Sequence, residues 1–151
     1  MRSAQQEHWP FIGTWHLVSC ESRDESGGVQ YPLGRDVVGQ LMYDAEGNMS
    51  AFLAQGSVPP FASDDLSAGT DVEIRAAFNG FFGYFGHYTV NLAQGIVTHH
   101  IRGASFPNWA GVEQVRHFRA DGRRLILWTP PISIESRKVT IIAIWERAGA
   151  A

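Results

Sequence analysis

The chain has 151 residues and a mass of 16.7 kDa, which suits one domain, and its single cysteine, Cys20, excludes an internal disulfide, a Cys-x-x-Cys pair and a cysteine-rich zinc site. With 12 Lys and Arg against 15 Asp and Glu, a formal charge of −3 and no basic run longer than Arg123-Arg124, nucleic acid is not an expected partner. Charged residues are only 18% of the chain beside 16 glycines and 12% aromatics, which points to tight turns around an unusually apolar interior.

Residues 1–9 are polar, with no apolar signal core. No apolar stretch approaches the roughly 20 residues of a membrane span, so the expectation is a cytoplasmic protein without a membrane partner. Residues 13–22 alternate well enough for a first strand, and 37–43 and 48–54 read as two more, joined by Asp44-Ala45-Glu46-Gly47. Residues 55–68, with Pro59-Pro60 and several Ser and Asp, read as a loop or lid. Thr70-Asp71-Val72-Glu73 is a capping box. Ile74, Ala77, Phe78 and Phe81 follow it at helical spacing, and Gly80 is placed to stop the helix. Residues 84–92, 96–103, 113–120, 125–129 and 139–147 read as five further strands. Eight antiparallel strands on one short chain are best satisfied by a closed barrel, which leaves no unpaired edge and can hold one small ligand.

Strand register decides what points inward, because direct partners in an antiparallel pair share a face. Pairing Ala93 with Ile96 across Gln94-Gly95 puts Tyr88, Val90, Leu92, Val97, His99 and Ile101 on one mostly apolar face. Pairing Ala120 with Arg123 across Asp121-Gly122 puts Phe118 by Leu125, Arg116 by Leu127 and Gln114 by Thr129, leaving Arg119 and Arg124 to water. Pairing Asp44 with Asn48 puts Tyr43 by Met49 and Leu41 by Ala51. The three registers converge on His99, Arg116, Tyr88, Tyr43, Gln114 and Thr129 lining an aliphatic and aromatic interior. A buried arginine needs either an internal carboxylate or an anionic or carbonyl ligand. Glu21 is the candidate carboxylate: it shares one side of the first strand with Trp15, Leu17 and Ser19, and faces inward if Trp15 does.

Each of these residues has a plain structural reading beside the functional one. His99 is either a satisfied core histidine or an acid or base for proton transfer. Arg116 is either paired with Glu21 or a ligand anchor whose fork of donors suits a carboxylate or enolate. Tyr43 and Tyr88 either fill the barrel or orient a ligand oxygen. Phe78, Phe81, Phe82, Tyr84 and Phe85 read as core and lid packing before ligand contacts. His99 and His100 are neighbours on a strand and point to opposite faces, so no metal site is expected. No Gly-x-Ser-x-Gly elbow or Gly-rich phosphate loop occurs.

Gly13-Thr14-Trp15, Tyr31-Pro32-Leu33-Gly34, the segment from Gly39 to Tyr43 with its following Asp-Ala-Glu-Gly-Asn-Met-Ser, Thr98-His99-His100, Phe106-Pro107-Asn108-Trp109, Gln114-Val115-Arg116, Thr129-Pro130-Pro131 and Trp145-Glu146-Arg147 together resemble the bacterial lipocalin-like domain proteins. The resemblance spans about 11–148 and implies a calycin-type barrel with an internal cavity, Trp15 closing its floor and Arg147 stacked on that ring. The expectation for the whole chain, 1–151, is therefore a single all-β lipocalin-like domain: an eight-stranded antiparallel barrel with one short helix and a lid segment, roughly 55–83, between the third and fourth strands. Its expected function is to bind a small hydrophobic, oxygenated metabolite and to catalyse a cofactor-free isomerisation, cyclisation or dehydration. In that scheme His99 and Arg116 are catalytic, and Tyr43, Tyr88, Gln114, Thr129, Glu21 and Ser19 bind substrate. The alternative is a non-catalytic carrier or sequestering protein. A homodimer is left open.

Overall fold

The computed structural model describes residues 10–149, so the polar start at 1–9 lies outside the described residues. Ten strands form one antiparallel sheet: β1 (Gly13–Asp24), β2 (Val29–Gln30), β3 (Val37–Tyr43), β4 (Asn48–Gln55), β5 (Phe81–Asn91), β6 (Ile96–Ala104), β7 (Glu113–Ala120), β8 (Arg124–Trp128), β9 (Ile132–Ile134) and β10 (Arg137–Arg147). Because β1 pairs with both β3 and β10, eight of them close into a barrel, while the short β2 and β9 extend its rim. Closure satisfies the sheet edges that an open meander would leave bare. One helix, α1 (Asp71–Gly80), stands between the third and fourth barrel strands.

Local chemistry explains the joints. At the β3–β4 turn the Asp44 carboxylate accepts from the Glu46 and Asn48 amides at 3.0 and 2.7 Å, and Gly47 takes the left-handed φ of 93° that closes the turn. The expected register, Tyr43 opposite Met49 and Leu41 opposite Ala51, is the observed one. In α1 both capping-box bonds are present: Glu73 N donates to Thr70 Oγ1 at 3.2 Å and Thr70 N donates to Glu73 Oε1 at 2.9 Å. The helix ends at Gly80 and the chain runs directly into β5, so Phe81 opens a strand instead of extending the helical face.

Two expected registers are displaced by two residues. Val90 pairs with Val97 and Tyr88 with His99, because the Asn91 side chain accepts from Gln94 N at 3.0 Å and the loop spends four residues, not two, before Ile96. Likewise Ala120 pairs with Leu125 and Phe118 with Leu127, the Asp121 carboxylate holding Arg124 N at 2.8 Å. A displacement of two keeps every side chain on its face, so the inward assignments survive both corrections.

The first strand is different. Leu17 pairs with Trp145 but Ser19 pairs with Ile144, so Val18 is an extra, bulged residue. After the bulge the alternation inverts: Cys20 and Ser22 are buried, while Ser19 and Glu21 turn to the other face. At one end of the barrel Phe11, Trp15, Tyr43, Tyr88 and Leu125 pack as a floor, Trp15 donating its indole N–H to Phe11 O at 3.0 Å. The Arg147 guanidinium lies 4.2 Å from the Trp15 ring centre, the stacking that the resemblance implies.

Candidate functional site: a cavity with one guanidinium

Above the floor the barrel encloses a cavity of about 350 Å3. That is the size of a small ligand site. Its walls are apolar side chains of β1, β3 to β5, β8 and β10, among them Leu41, Leu53, Phe82, Leu127, Ala143 and Trp145. Phe78 and Asn79 of α1, Phe106, and Ile132 and Ile134 of β9 form the rim, so the helical segment covers part of the mouth as expected of a lid. The Phe106-Pro107-Asn108-Trp109 motif makes a 3-10 turn that delivers Trp109 into the wall. There it packs edge-on against Phe82 and Tyr84, at 4.9 and 5.6 Å between ring centres.

Arg116 lines this cavity and is 8% exposed. Its Nη1 donates to Val115 O at 2.9 Å and to Gln114 Oε1 at 3.2 Å, and its Cζ lies 5.4 Å from the Trp109 ring centre. No carboxylate pairs with it among the described residues. Glu21, the expected partner, instead holds Arg23 on the opposite face, with Arg23 Nη2 2.8 Å from Oε1. The bulge at Val18 is the physical reason, and it removes Ser19 from the interior as well.

His99 is fully buried between two tyrosines, with Tyr43 Oη 2.6 Å from Nε2 and Tyr84 Oη 3.0 Å from Nδ1. Burial, reinforced by the neighbouring Arg116 and by His100, lowers its pKa to about 3. The imidazole is therefore neutral at physiological pH. His99 and Tyr43 are not among the residues that line the cavity; Tyr84 is, and its hydroxyl meets His99 Nδ1. Burial also raises the pKa of both Tyr43 and Tyr84, which keeps the two hydroxyls protonated. Tyr88 belongs to the floor, where its hydroxyl donates to Asp44 O at 2.7 Å. Gln114 serves as the acceptor for Arg116, and Thr129 reaches the cavity wall with its Oγ1 accepting from Ile141 N at 3.0 Å. Of the residues expected to form the site, then, Arg116 and Thr129 face the cavity directly. His99, Tyr43 and Gln114 stand behind it, and Tyr88, Ser19 and Glu21 are elsewhere.

Three residues of the wall did not stand out as site residues in the sequence. Tyr84 sits in a run of aromatics that reads as packing. Cys20 becomes inward only through the bulge, and burial pushes its thiol up to about 11, so it is an unionised wall group. Trp145 lines the cavity and carries the one buried side-chain nitrogen, Nε1, that lacks a hydrogen-bond partner among the described residues.

No cluster of three His, Cys, Asp or Glu side chains able to hold a metal ion occurs among the described residues, and His100 faces outward between Thr89 and Glu113. No helix among the described residues is long and apolar enough to cross a membrane. The model of the lipocalin-like domain family matches residues 12–148. The chain belongs to this family. No curated protein matches the sequence. The matched span of this lipocalin-like domain takes in the whole barrel and every wall residue of the cavity. A lipocalin-like barrel with such an interior fits the binding of a small hydrophobic molecule.

Proposed function

We propose that this lipocalin-like barrel binds a hydrophobic small molecule through an oxygen acceptor placed at Arg116. The observation that carries the reading is a guanidinium in the wall of a mostly apolar cavity, with hydrogen-bond partners, among the described residues, on its own strand alone. A buried cation without a counter-group is costly, and a ligand oxygen offsets that cost while the apolar wall takes the rest of the molecule.

The neutral naphthalene ketone prodan is a suitable probe, because its emission shifts to the blue in a dry site and its carbonyl can accept from Arg116. Wild-type protein is expected to bind it. Ala143→Trp, which fills the cavity, is expected to abolish the signal, and Arg116→Met to weaken binding about 10-fold or more, the worth of one hydrogen bond to a charged donor. Absence of prodan binding to the wild type overturns the reading.

A second reading, catalysis of a cofactor-free isomerisation, cyclisation or dehydration, is favoured by the hydrogen-bonded chain Tyr43–His99–Tyr84 that ends at the cavity wall. In it Arg116 polarises a carbonyl or holds an enolate, and Tyr84 is the group that meets the reacting atoms. His99 and Tyr43 position Tyr84. Among the described residues the chain ends at Tyr43, a buried hydroxyl with no hydrogen-bond partner but His99, so no described group relays protons to it from water. That suits reactions in which every proton taken from the substrate returns to it or leaves with its own hydroxyl. Tyr84→Phe slowing turnover of an identified substrate by more than its effect on KM supports this reading, and unchanged kcat removes it.

A further inference from the structure

We infer that the ligand is a hydrophobic monoanion, a carboxylate or enolate whose oxygens are held jointly by the Arg116 guanidinium and by a Tyr84 hydroxyl that the buried chain behind it forces to donate. This deepens the cavity-binding reading above and rests on it.

The direction of the Tyr84 hydroxyl follows from counting hydrogens. A neutral imidazole has one N–H and one bare nitrogen, and each hydroxyl has one hydrogen to give. Suppose Nε2 of His99 carried the proton: it would donate to Tyr43, and the Tyr43 hydrogen would then need an acceptor. Tyr43 is buried and has no hydrogen-bond partner but His99 among the described residues. That arrangement strands a buried donor, the costliest kind of omission. In the opposite order every hydrogen but one is placed. Tyr43 donates to Nε2 across 2.6 Å and Nδ1–H donates to the Tyr84 oxygen across 3.0 Å. The Tyr84 hydrogen is left over, on a side chain that lines the cavity. A ligand therefore meets Tyr84 as a donor whose oxygen is already polarised from behind.

Arg116 adds donors of the same sign. Its Nη1 is used by Gln114 and Val115, whereas Nε and Nη2 have no partner among the described residues. Both Arg116 and Tyr84 lie against Trp109, at 5.4 Å from its ring centre and 5.6 Å between ring centres respectively. Among the described residues no acidic side chain lines the cavity, and Arg116 is the one charged side chain that does. A neutral ketone or alcohol would occupy one donor and leave the charge uncompensated. A monoanion occupies both donors and neutralises the site, and in an apolar surround that attraction is much stronger than in water. A dianion would bring a second charge with nothing to meet it.

The test displaces bound prodan with a matched pair, decanoate and decanol, at pH 7. Decanoate is expected to displace at a concentration at least 10-fold lower than decanol. The preference is expected to fall at least threefold in Tyr84→Phe and to vanish in Arg116→Met, with Arg116→Lys retaining part of it because the charge stays and the planar fork is lost. Equal displacement by the acid and the alcohol from a wild type that binds prodan overturns the anion inference and leaves cavity binding intact. A preference for decanoate that survives in both Tyr84→Phe and Arg116→Met overturns the assignment of the seat. Failure of prodan to bind at all brings down the cavity reading and this inference with it.

Discussion

His99 shows how burial turns an ordinary residue into a fixed element. Enclosed between Tyr43 and Tyr84 and near Arg116, its imidazolium form has lost water and gained a like charge, which is why its pKa falls to about 3. The folded value lies below the unfolded one, so between about pH 3 and 6.5 the unfolded chain holds a proton that the folded chain does not. Stability therefore rises with pH through that window and is lost as pH falls, by at most about 1.4 kcal/mol per pH unit. The carboxylates with lowered values, Asp24, Asp44, Asp65 and Glu73, start from ordinary values of 3.8 or 4.5 and act further down. Urea unfolding at pH 6.5 and pH 5 is expected to show a loss of about 1.5 kcal/mol from this one group, with the loss smaller by that amount in His99→Gln. A wild type and variant with parallel pH dependence would show that His99 is not held neutral. Nitrogen-resolved NMR at pH 5 should find a single ring proton, on Nδ1.

At the scale of elements, the turns decide more than the strands. Glu135 and Ser136 join β9 to β10 with φ values of 50° and 62°, a left-handed pair without a glycine. A two-residue turn of this kind is the natural site for Asn-Gly. Replacing Glu135-Ser136 by Asn-Gly is expected to raise stability by about 1 kcal/mol and the melting temperature by about 2–4 °C, measured by thermal unfolding. An unchanged or lower melting temperature would mean that the rim hairpin carries no strain. The same turns explain what the sequence could disclose. Alternation placed His99, Arg116, Tyr43 and Thr129 toward the interior although two of three registers are off by two residues, because a period of two forgives a shift of two. It could not forgive the single-residue bulge at Val18, which no residue type announces, and so Glu21 and Ser19 were expected inside where Cys20 and Ser22 stand. Depth along the barrel was equally illegible: alternation says that Tyr88 and Tyr84 point in, but not that one belongs to the floor and the other to the cavity wall.

For the molecule as a whole, closure depends on the seam between the first and last strands, and Arg147 is its fastener. It pairs with Trp15 across the β1–β10 seam, lays its guanidinium on the Trp15 ring at 4.2 Å, and donates to Ile12 O at 2.7 Å, Gly122 O at 2.9 Å and Pro10 O at 3.4 Å. One side chain thus ties the entry to β1, the β7–β8 turn and the floor. Gly13 is part of the same device: its φ is 132°, and a Cβ there would sit 2.7 Å from Arg147 Nη1. Removing the guanidinium strands carbonyls at a partly buried junction and exposes the floor tryptophan. Arg147→Met is therefore expected to cost about 2–4 kcal/mol, which for a chain of this length lowers the melting temperature by about 5–15 °C. Arg147→Lys should recover less than half, since an ammonium cannot serve three separated carbonyls and stack at once. Because Arg147 does not line the cavity, prodan affinity measured well below the new melting temperature should stay within about twofold of wild type. A melting temperature within about 2 °C of wild type in Arg147→Met would mean that the barrel is held shut by its strand pairing and floor packing alone.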